Sequence, residues 1–337
     1  YDNVVVDRGA HHWKFGGYLF RLNFNPVNPN GARGIFGFTG QWTGNAFADF
    51  LLGYPTSAQV GIGRADERGR TTWFHTYIQD DWKPTGSIAL NYGLRYEVNG
   101  QMTDRDNRLS AIDLTVPGGR FVVASDPKGT VHPSAQALLA DIPVPWVTSA
   151  AAGWTRGLLR PSYRRFAPRV GLAWTVGRDA RTVISVGGGV FLNQWAYSVQ
   201  QAFAQALPFF FTKTVTAASD ALQPSASTET MLVSPSNGTI GGSTMNHDYR
   251  TEYAKNITIG VQRQVGPSTS LELSYLGSWI VGADSSTILN VPEPGPGPIG
   301  PRRPVHQLSQ INTIRWDGYS IFHALTARVD QIGRAHV

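Results

Sequence analysis

No cysteine occurs in the 337 residues. That excludes a disulfide framework and any thiolate metal centre. Charge is scarce: Asp, Glu, Lys and Arg make up 15% of the chain, against about a quarter in a typical globular protein. No stretch approaches the roughly 18 consecutive apolar residues of a membrane-spanning helix. That excludes a helical span and leaves a β-barrel open, because a barrel spreads its hydrophobicity through alternation. The start, Tyr1-Asp2-Asn3, carries no Met, no basic segment and no apolar core. No signal peptide is legible there, and the chain reads as beginning inside a longer protein.

Catalytic and metal signatures are also missing. There is no H-E-x-x-H pair and no G-x-S-x-G elbow, and the 8 His are spread along the chain. Asp80-Asp81 and His11-His12 are adjacent pairs, and neighbours on a strand point apart, so neither pair can share a site. Asp104, Asp106 and Asn107 lack the Gly and the terminal Glu of a calcium loop. The triplet Gly187-Gly188-Gly189 lacks the strand-then-helix context of a phosphate loop and reads as a bend or close approach within a strand. The expectation is a protein that is not an enzyme, with no catalytic residues, no metal site and no cofactor. The formal charge of +6 comes from scattered Arg, so nucleic acid is not an expected partner.

Turn formers are plentiful, with 37 Gly and 21 Pro. They punctuate three long alternating hairpins. In 73–98, Ile88, Leu90, Tyr92, Leu94, Tyr96 and Val98 share one face, and Ser87, Ala89, Asn91, Gly93, Arg95 and Glu97 share the other. A period of two is a strand with one apolar and one wet side. The apolar run has the length a tilted strand needs to cross a bilayer, about 9–11 residues. Trp73, Trp82, Tyr92 and Tyr96 lie where an interfacial aromatic girdle would place them. The second hairpin, 166–193, sets Val170, Leu172, Trp174 and Val176 against Arg169, Gly171, Ala173 and Thr175. The third, 253–279, sets Ile257, Ile259 and Val261 against Asn256, Thr258 and Gly260.

Further strands are expected at 11–22, 34–38, 57–63 and 320–330, with Leu325, Ala327 and Val329 outward in the last. The segment AFADFLL (46–52) has helical spacing, 121–123 reads as a brief strand and 134–140 as a helix. The Pro-Gly segment 290–304 cannot be sheet interior. Short turns at 83–86, 177–180 and 266–269 alternate with long connections at 99–163 and 194–250. Short turns on one side and long loops on the other is the asymmetry of an outer-membrane barrel.

Several segments also resemble one family. YIQDDWKPTGSIALNYGLRYE (77–97), HHWKFGGYLF (11–20), ADFLLGYP (48–55), FAPRVGLAWTVGRDARTVISVGGGVF (166–191) and YAKNITIGVQRQVGPSTSLELSYLGS (253–278) resemble, in order, motifs of TonB-dependent outer-membrane receptors. They are most similar to the Oar-like group. The resemblance implies a Gram-negative outer membrane and a barrel of about 22 strands around a plug. It also implies uptake of a scarce solute, with energy from a periplasmic partner. Partners would be outer-membrane lipid and lipopolysaccharide, a TonB-type energy-coupling protein reached through N-terminal parts this chain lacks, and an unidentified small solute or oligomer.

The fold expected is all-β: a partial transmembrane antiparallel β-barrel with short periplasmic turns and long extracellular loops. Residues 1–331 read as one incomplete barrel domain without plug or signal peptide. Residues 332–337 (IGRAHV) read as a translated sequencing adapter. Such a fragment would carry unpaired strand edges, which lipid does not satisfy. Two other readings stay open: an adhesive or surface-receptor barrel without transport, and a soluble β-sandwich binding module. Ligand-binding residues are unknown at this stage. Arg95, Arg169 and Arg328 have inward parity and would either favour anionic solutes or pair with inward carboxylates such as Glu97 and Glu272.

Overall fold

A computed structural model describes residues 2–27, 31–63, 66–139, 144–193, 202–204, 206–231 and 239–331. The adapter-like stretch 332–337 lies outside the described residues, as do parts of the loops at 25–31 and 64–70. In chain order the elements are β1 (Asp2–Arg8), β2 (His11–Phe24), β3 (Ile35–Gly37), α1 (Ala46–Leu52), β4 (Ser57–Gly63), β5 (Gly69–Thr85) and β6 (Ile88–Asn99). There follow β7 (Thr103–Asp104), β8 (Ser110–Asp113), β9 (Arg120–Val123), α2 (Pro133–Leu139) and β10 (Trp146–Thr148). Then come β11 (Phe166–Val176), β12 (Thr182–Leu192), β13 (Phe210–Thr216), β14 (Thr239–Met245), β15 (Tyr253–Gln264), β16 (Thr269–Leu289) and β17 (Leu308–Gln331).

Nine strands form the wall, in the order β1-β2-β5-β6-β11-β12-β15-β16-β17, every pair antiparallel. The register sorts residues by chemistry. Leu90, Leu172, Val186, Ile259, Tyr275 and Leu325 lie side by side across six strands. One position along, on the opposite face, lie Ala89, Ala173, Ser185, Gly260, Ser274 and Thr326. A β-sandwich would bury such an apolar face against a second sheet. Here it is open: Leu325 is 72% and Val329 68% exposed. The sandwich reading therefore fails, and the apolar side is the one that meets lipid. The wall is not closed into a cylinder among the described residues, where β1 pairs with β2 alone.

β1 was not foreseen, because Val4-Val5-Val6 runs apolar without alternating. The first hairpin reverses later than expected. β5 continues to Thr85, and the pairing slips between Trp82 and Thr85. Pro84 has no N–H to give the ladder, and Thr85 Oγ1 accepts from Ile88 N–H at 3.1 Å to close the turn. Trp73 corrects the girdle: it pairs opposite Asn99 on the inward parity and packs 5.6 Å from Phe20. Trp82 and Tyr96 do face outward, Tyr96 with Phe166 at 4.8 Å.

The long connections are more ordered than their composition implied. β16 and β17 run 21 and 24 residues, about twice a membrane crossing. Their pairing shifts near Ala283, where Gly282 adopts φ +76 and a Cβ on Gly318 would meet Ala283 O at 2.9 Å. Above that kink, β14 adds parallel to β17, then β13, β4 and β3 follow. β4 lies in the connection that leaves β2, so the extracellular loops link the two ends of the wall. The segment expected to be irregular, 99–163, holds a three-stranded sheet β10-β9-β8 with β10 parallel to β9. This cap encloses Leu109, Val122, Leu158, Phe203, Met245 and Trp316 in one core. Asn290 clamps the base of the Pro-Gly loop, its amide donating to Val305 O and Leu308 O at 3.0 Å each.

Candidate functional site

The inward face of the wall is where alternation places its polar residues, and its hollows lie on that face. One, of about 560 Å³, is bordered by Lys14, Tyr18, His75, Tyr77, Arg95 and Arg169. A second, of about 870 Å³, lies nearer the short turns and is bordered by Asp7, His12, Asp81, Lys83, Ser185 and Thr258. Small residues make the room between them. A Cβ on Gly93 would meet Ile78 O at 2.8 Å, so that position requires glycine.

Neighbouring strands cross-link this face. Lys14 on β2 bonds Asp81 on β5 at 2.9 Å, and Asn91 on β6 donates to the same carboxylate. His75 Nε2 lies 2.7 Å from Asn99 Oδ1. Arg95 Nε lies 2.9 Å from Glu97 Oε1, in ion-pair contact without an aligned hydrogen bond. Its guanidinium sits 6.0 Å from the Tyr77 ring. Arg169 covers the Phe191 ring at 4.5 Å, a cation–π contact.

The three inward Arg thus meet different fates. Arg95 pairs with Glu97 as expected. Arg328 pairs with Asp330, two residues along its own strand, at 2.9 Å, although Glu272 is its cross-strand neighbour. Arg169 rests on an aromatic ring instead of a carboxylate. Asp81 and His12 are inward, Asp80 and His11 outward, as the period of two requires.

One polar cluster was missed. On the outward face, Asp80 is fully buried beneath its neighbours. His11 Nδ1 lies 2.6 Å from Asp80 Oδ2, and the Tyr92 hydroxyl donates to that oxygen at 2.8 Å. The Trp82 ring stacks on His11 at 5.2 Å, and Trp13 meets Tyr92 edge-on at 6.4 Å. Aromatic rings therefore screen a carboxylate from lipid close to the short turns. The parity of Asp80 with Ile78 and Trp82 was visible in the sequence. Its partner His11, 69 residues away, was not.

A nine-strand antiparallel wall, apolar outside and polar inside, with short turns at one end and folded loops at the other, has the anatomy of an outer-membrane barrel. A family model described as outer membrane beta barrel domain matches residues 1–333. The chain belongs to this family of outer membrane β-barrel domains. Its place is the outer membrane. No curated protein matches it. Among solved structures it is similar to the outer membrane transporter YddB from Escherichia coli, at 10% identity and a TM-score of 0.51, covering 99% of this chain and 30% of that one. That likeness carries the barrel fold alone. The FrpB iron transporter from Neisseria meningitidis (13% identity, TM-score 0.42, 98% of this chain and 32% of that one) is also similar. So is the hemophore receptor HasR of Serratia marcescens (12%, 0.39, 95% and 39%). Neither of these two, at TM-scores under 0.5, adds to the argument. The outer membrane β-barrel domain seen here spans about a third of the length of these structures.

Proposed function

We propose that this barrel domain is part of a TonB-dependent receptor of the Oar-like group, which takes up a scarce solute across the outer membrane using energy relayed by a TonB-type partner. The carrying observation is the polar, hollowed inward face held inside an apolar wall, which suits passage of a hydrated solute. The ordered run of motifs at 11–20, 48–55, 77–97, 166–191 and 253–278 supports the receptor class. Plug and coupling segments are assigned to the rest of the complete protein, and 332–337 to a sequencing adapter.

The inward Arg residues do not single out anions. Arg95 and Arg328 already face Glu97 and Asp330, which leaves Arg169 as the one of the three without an ion pair among the described residues. The reading is tested by uptake. Deleting the complete gene should abolish growth on the limiting solute, and deleting the coupling protein should do the same. Growth that needs the barrel but not the coupling protein would overturn energy-dependent uptake.

A second reading, a surface receptor or adhesin without transport, draws on the cap. A loop region with its own buried core is more than a pore entrance requires. Retained uptake with lost cell–surface attachment in the deletion strain would favour it.

A further inference from the structure

The buried carboxylate on the outward face, Asp80, has no strong base beside it. Its hydrogen bonds come from His11 Nδ1 and the Tyr92 hydroxyl, both on Oδ2, and Oδ1 is sealed without a partner. Among the described residues no Lys or Arg forms an ion pair with it, and His11 is the one basic group in reach. A carboxylate held away from water without a cation is strongly disfavoured. His11 relays that charge to the surface. Its side chain is 35% exposed, and Nε2, unlike Nδ1, is neither bonded nor sealed among the described residues. With its Nδ1–H given to Asp80, the neutral imidazole keeps a lone pair at Nε2. The dyad therefore shows the lipid side an acceptor backed by a negative charge. Trp82 and Trp13 fix the ring, stacked on it at 5.2 Å and 5.9 Å, and their π faces also attract a cation.

A fixed cation stands next to this acceptor. Arg8 on β1 pairs directly opposite His11 on β2, and residues so placed share a face with Cβ atoms about 4.5–5.5 Å apart. The same row continues through Trp82, Leu90 and Leu172, so Arg8 and His11 both lie on the lipid-facing side. Arg8 is exposed. Only Gly9 and Ala10 separate the two strands, which sets the pair at the end of a hairpin, at the headgroup level of the periplasmic leaflet. An acceptor for a cation beside a donor for an anion matches a zwitterionic headgroup that carries ammonium and phosphate together. A headgroup with phosphate alone would satisfy Arg8 and meet the Asp80 charge unfavourably. A quaternary ammonium would have no N–H to give Nε2.

We propose that His11, backed by Asp80, and Arg8 form a binding site for a zwitterionic phospholipid with a primary ammonium headgroup, whose ammonium N–H bonds His11 Nε2 and whose phosphate meets the Arg8 guanidinium. The inference rests on the wall lying in the outer membrane and not on uptake. It is tested on the complete protein in micelles carrying equal amounts of dioleoyl phosphatidylethanolamine, phosphatidylcholine and phosphatidylglycerol, with the retained lipids counted by native mass spectrometry. Phosphatidylethanolamine should be retained several-fold over the other two. His11→Phe leaves a ring for Trp13 and Trp82 to stack on and should bring phosphatidylethanolamine down to the level of phosphatidylcholine. Arg8→Gln should lower its retention several-fold while keeping it ahead of phosphatidylcholine. Heat-modifiable migration on cold gels identifies the variants that are folded. Equal retention of the three lipids, retention of phosphatidylglycerol first, or a phosphatidylethanolamine preference that survives His11→Phe would each overturn the site. The selectivity of the unaltered protein decides against it even where a variant does not fold. Lipid retention needs no energised partner, so its failure leaves the uptake reading standing, and loss of uptake leaves the lipid count unaffected.

Discussion

The wall and the cap use the same apolar residue types in opposite ways. In the cap, Leu109, Phe121, Val122, Val123 and Leu158 are fully enclosed, and each contributes roughly 1.5–3 kcal/mol by leaving water. In the membrane-crossing part of the wall, Ala167 is the only buried apolar side chain among the described residues. Leu19, Phe74, Val170, Ile259, Leu273 and Leu325 all point away from the protein. The cap is a small soluble core held above the membrane. The wall has no core of its own, and lipid takes that role. Hence the wall depends on its surroundings and the cap on its packing.

That contrast can be broken at either end. The largest effect is expected from Phe121→Ala, which opens a cavity in the cap and should cost it about 3–5 kcal/mol. Hydrogen exchange should show protection falling at 109–124 and unchanged at 168–176. Equal loss in both would mean that cap and wall fold as one unit.

Leu325→Arg places a charge on the lipid-facing side and should destabilise the inserted wall by about 2–4 kcal/mol at mid-membrane. Ala173→Arg, of inward parity, should cost far less. Denaturant titration of the protein in lipid vesicles compares the two, and an equal cost would mean that the faces are assigned the wrong way round.

Asp113 sharpens the comparison through pH. Burial pushes its carboxyl up, but hydrogen bonds from Thr115 and the Arg120 guanidinium outweigh this and hold it below the ordinary value. A carboxyl depressed in the folded state stabilises fully above its unfolded pKa, near 3.9, and loses that stabilisation as pH falls through the folded value. Cap protection should therefore decline below about pH 4, while Asp113→Asn should be weaker at neutral pH and less sensitive to acid. An unchanged acid profile in the variant would remove Asp113 as the cause.

The smallest effect belongs to the inward ion pairs. Arg95→Gln should change wall stability by less than about 1 kcal/mol: Glu97 is buried, but Arg95 is partly exposed and its contact with Glu97 is not an aligned hydrogen bond, and such a pair contributes little. A larger loss in vesicle denaturation would mean that the Arg95 contact with Tyr77 and Glu97 carries more of the wall than its geometry implies.

The wall was largely legible in the sequence. Its three hairpins, the last strand, the Pro-Gly loop and α1 all follow from local signals. Asn45, for instance, caps α1 by accepting the Phe47 N–H at 2.9 Å, and Gly53 ends it at φ +69. The inward parity of Arg95, Arg169 and Arg328 was legible too. Their partners were not, nor was the burial of Asp80. Of the cap, the brief strand at 121–123 and the helix at 134–140 were legible, as β9 and α2; β7, β8 and β10 were not, because strands of two to four residues are too short for a period to register. β13 and β14 stayed hidden because Thr and Gly blur the alternation.

The sequence by itself determined which residues face lipid. That choice is made residue by residue, since a strand turns successive side chains to opposite sides whatever its neighbours are. Only the tertiary structure decided which strands lie together where long connections intervene. β6 meets β11 and β14 meets β17 across such connections, and register over that distance is set by how the loops pack. The extracellular strands β14, β13, β4 and β3 added to β17 and the cap core both depend on that packing, and neither is encoded in a local period.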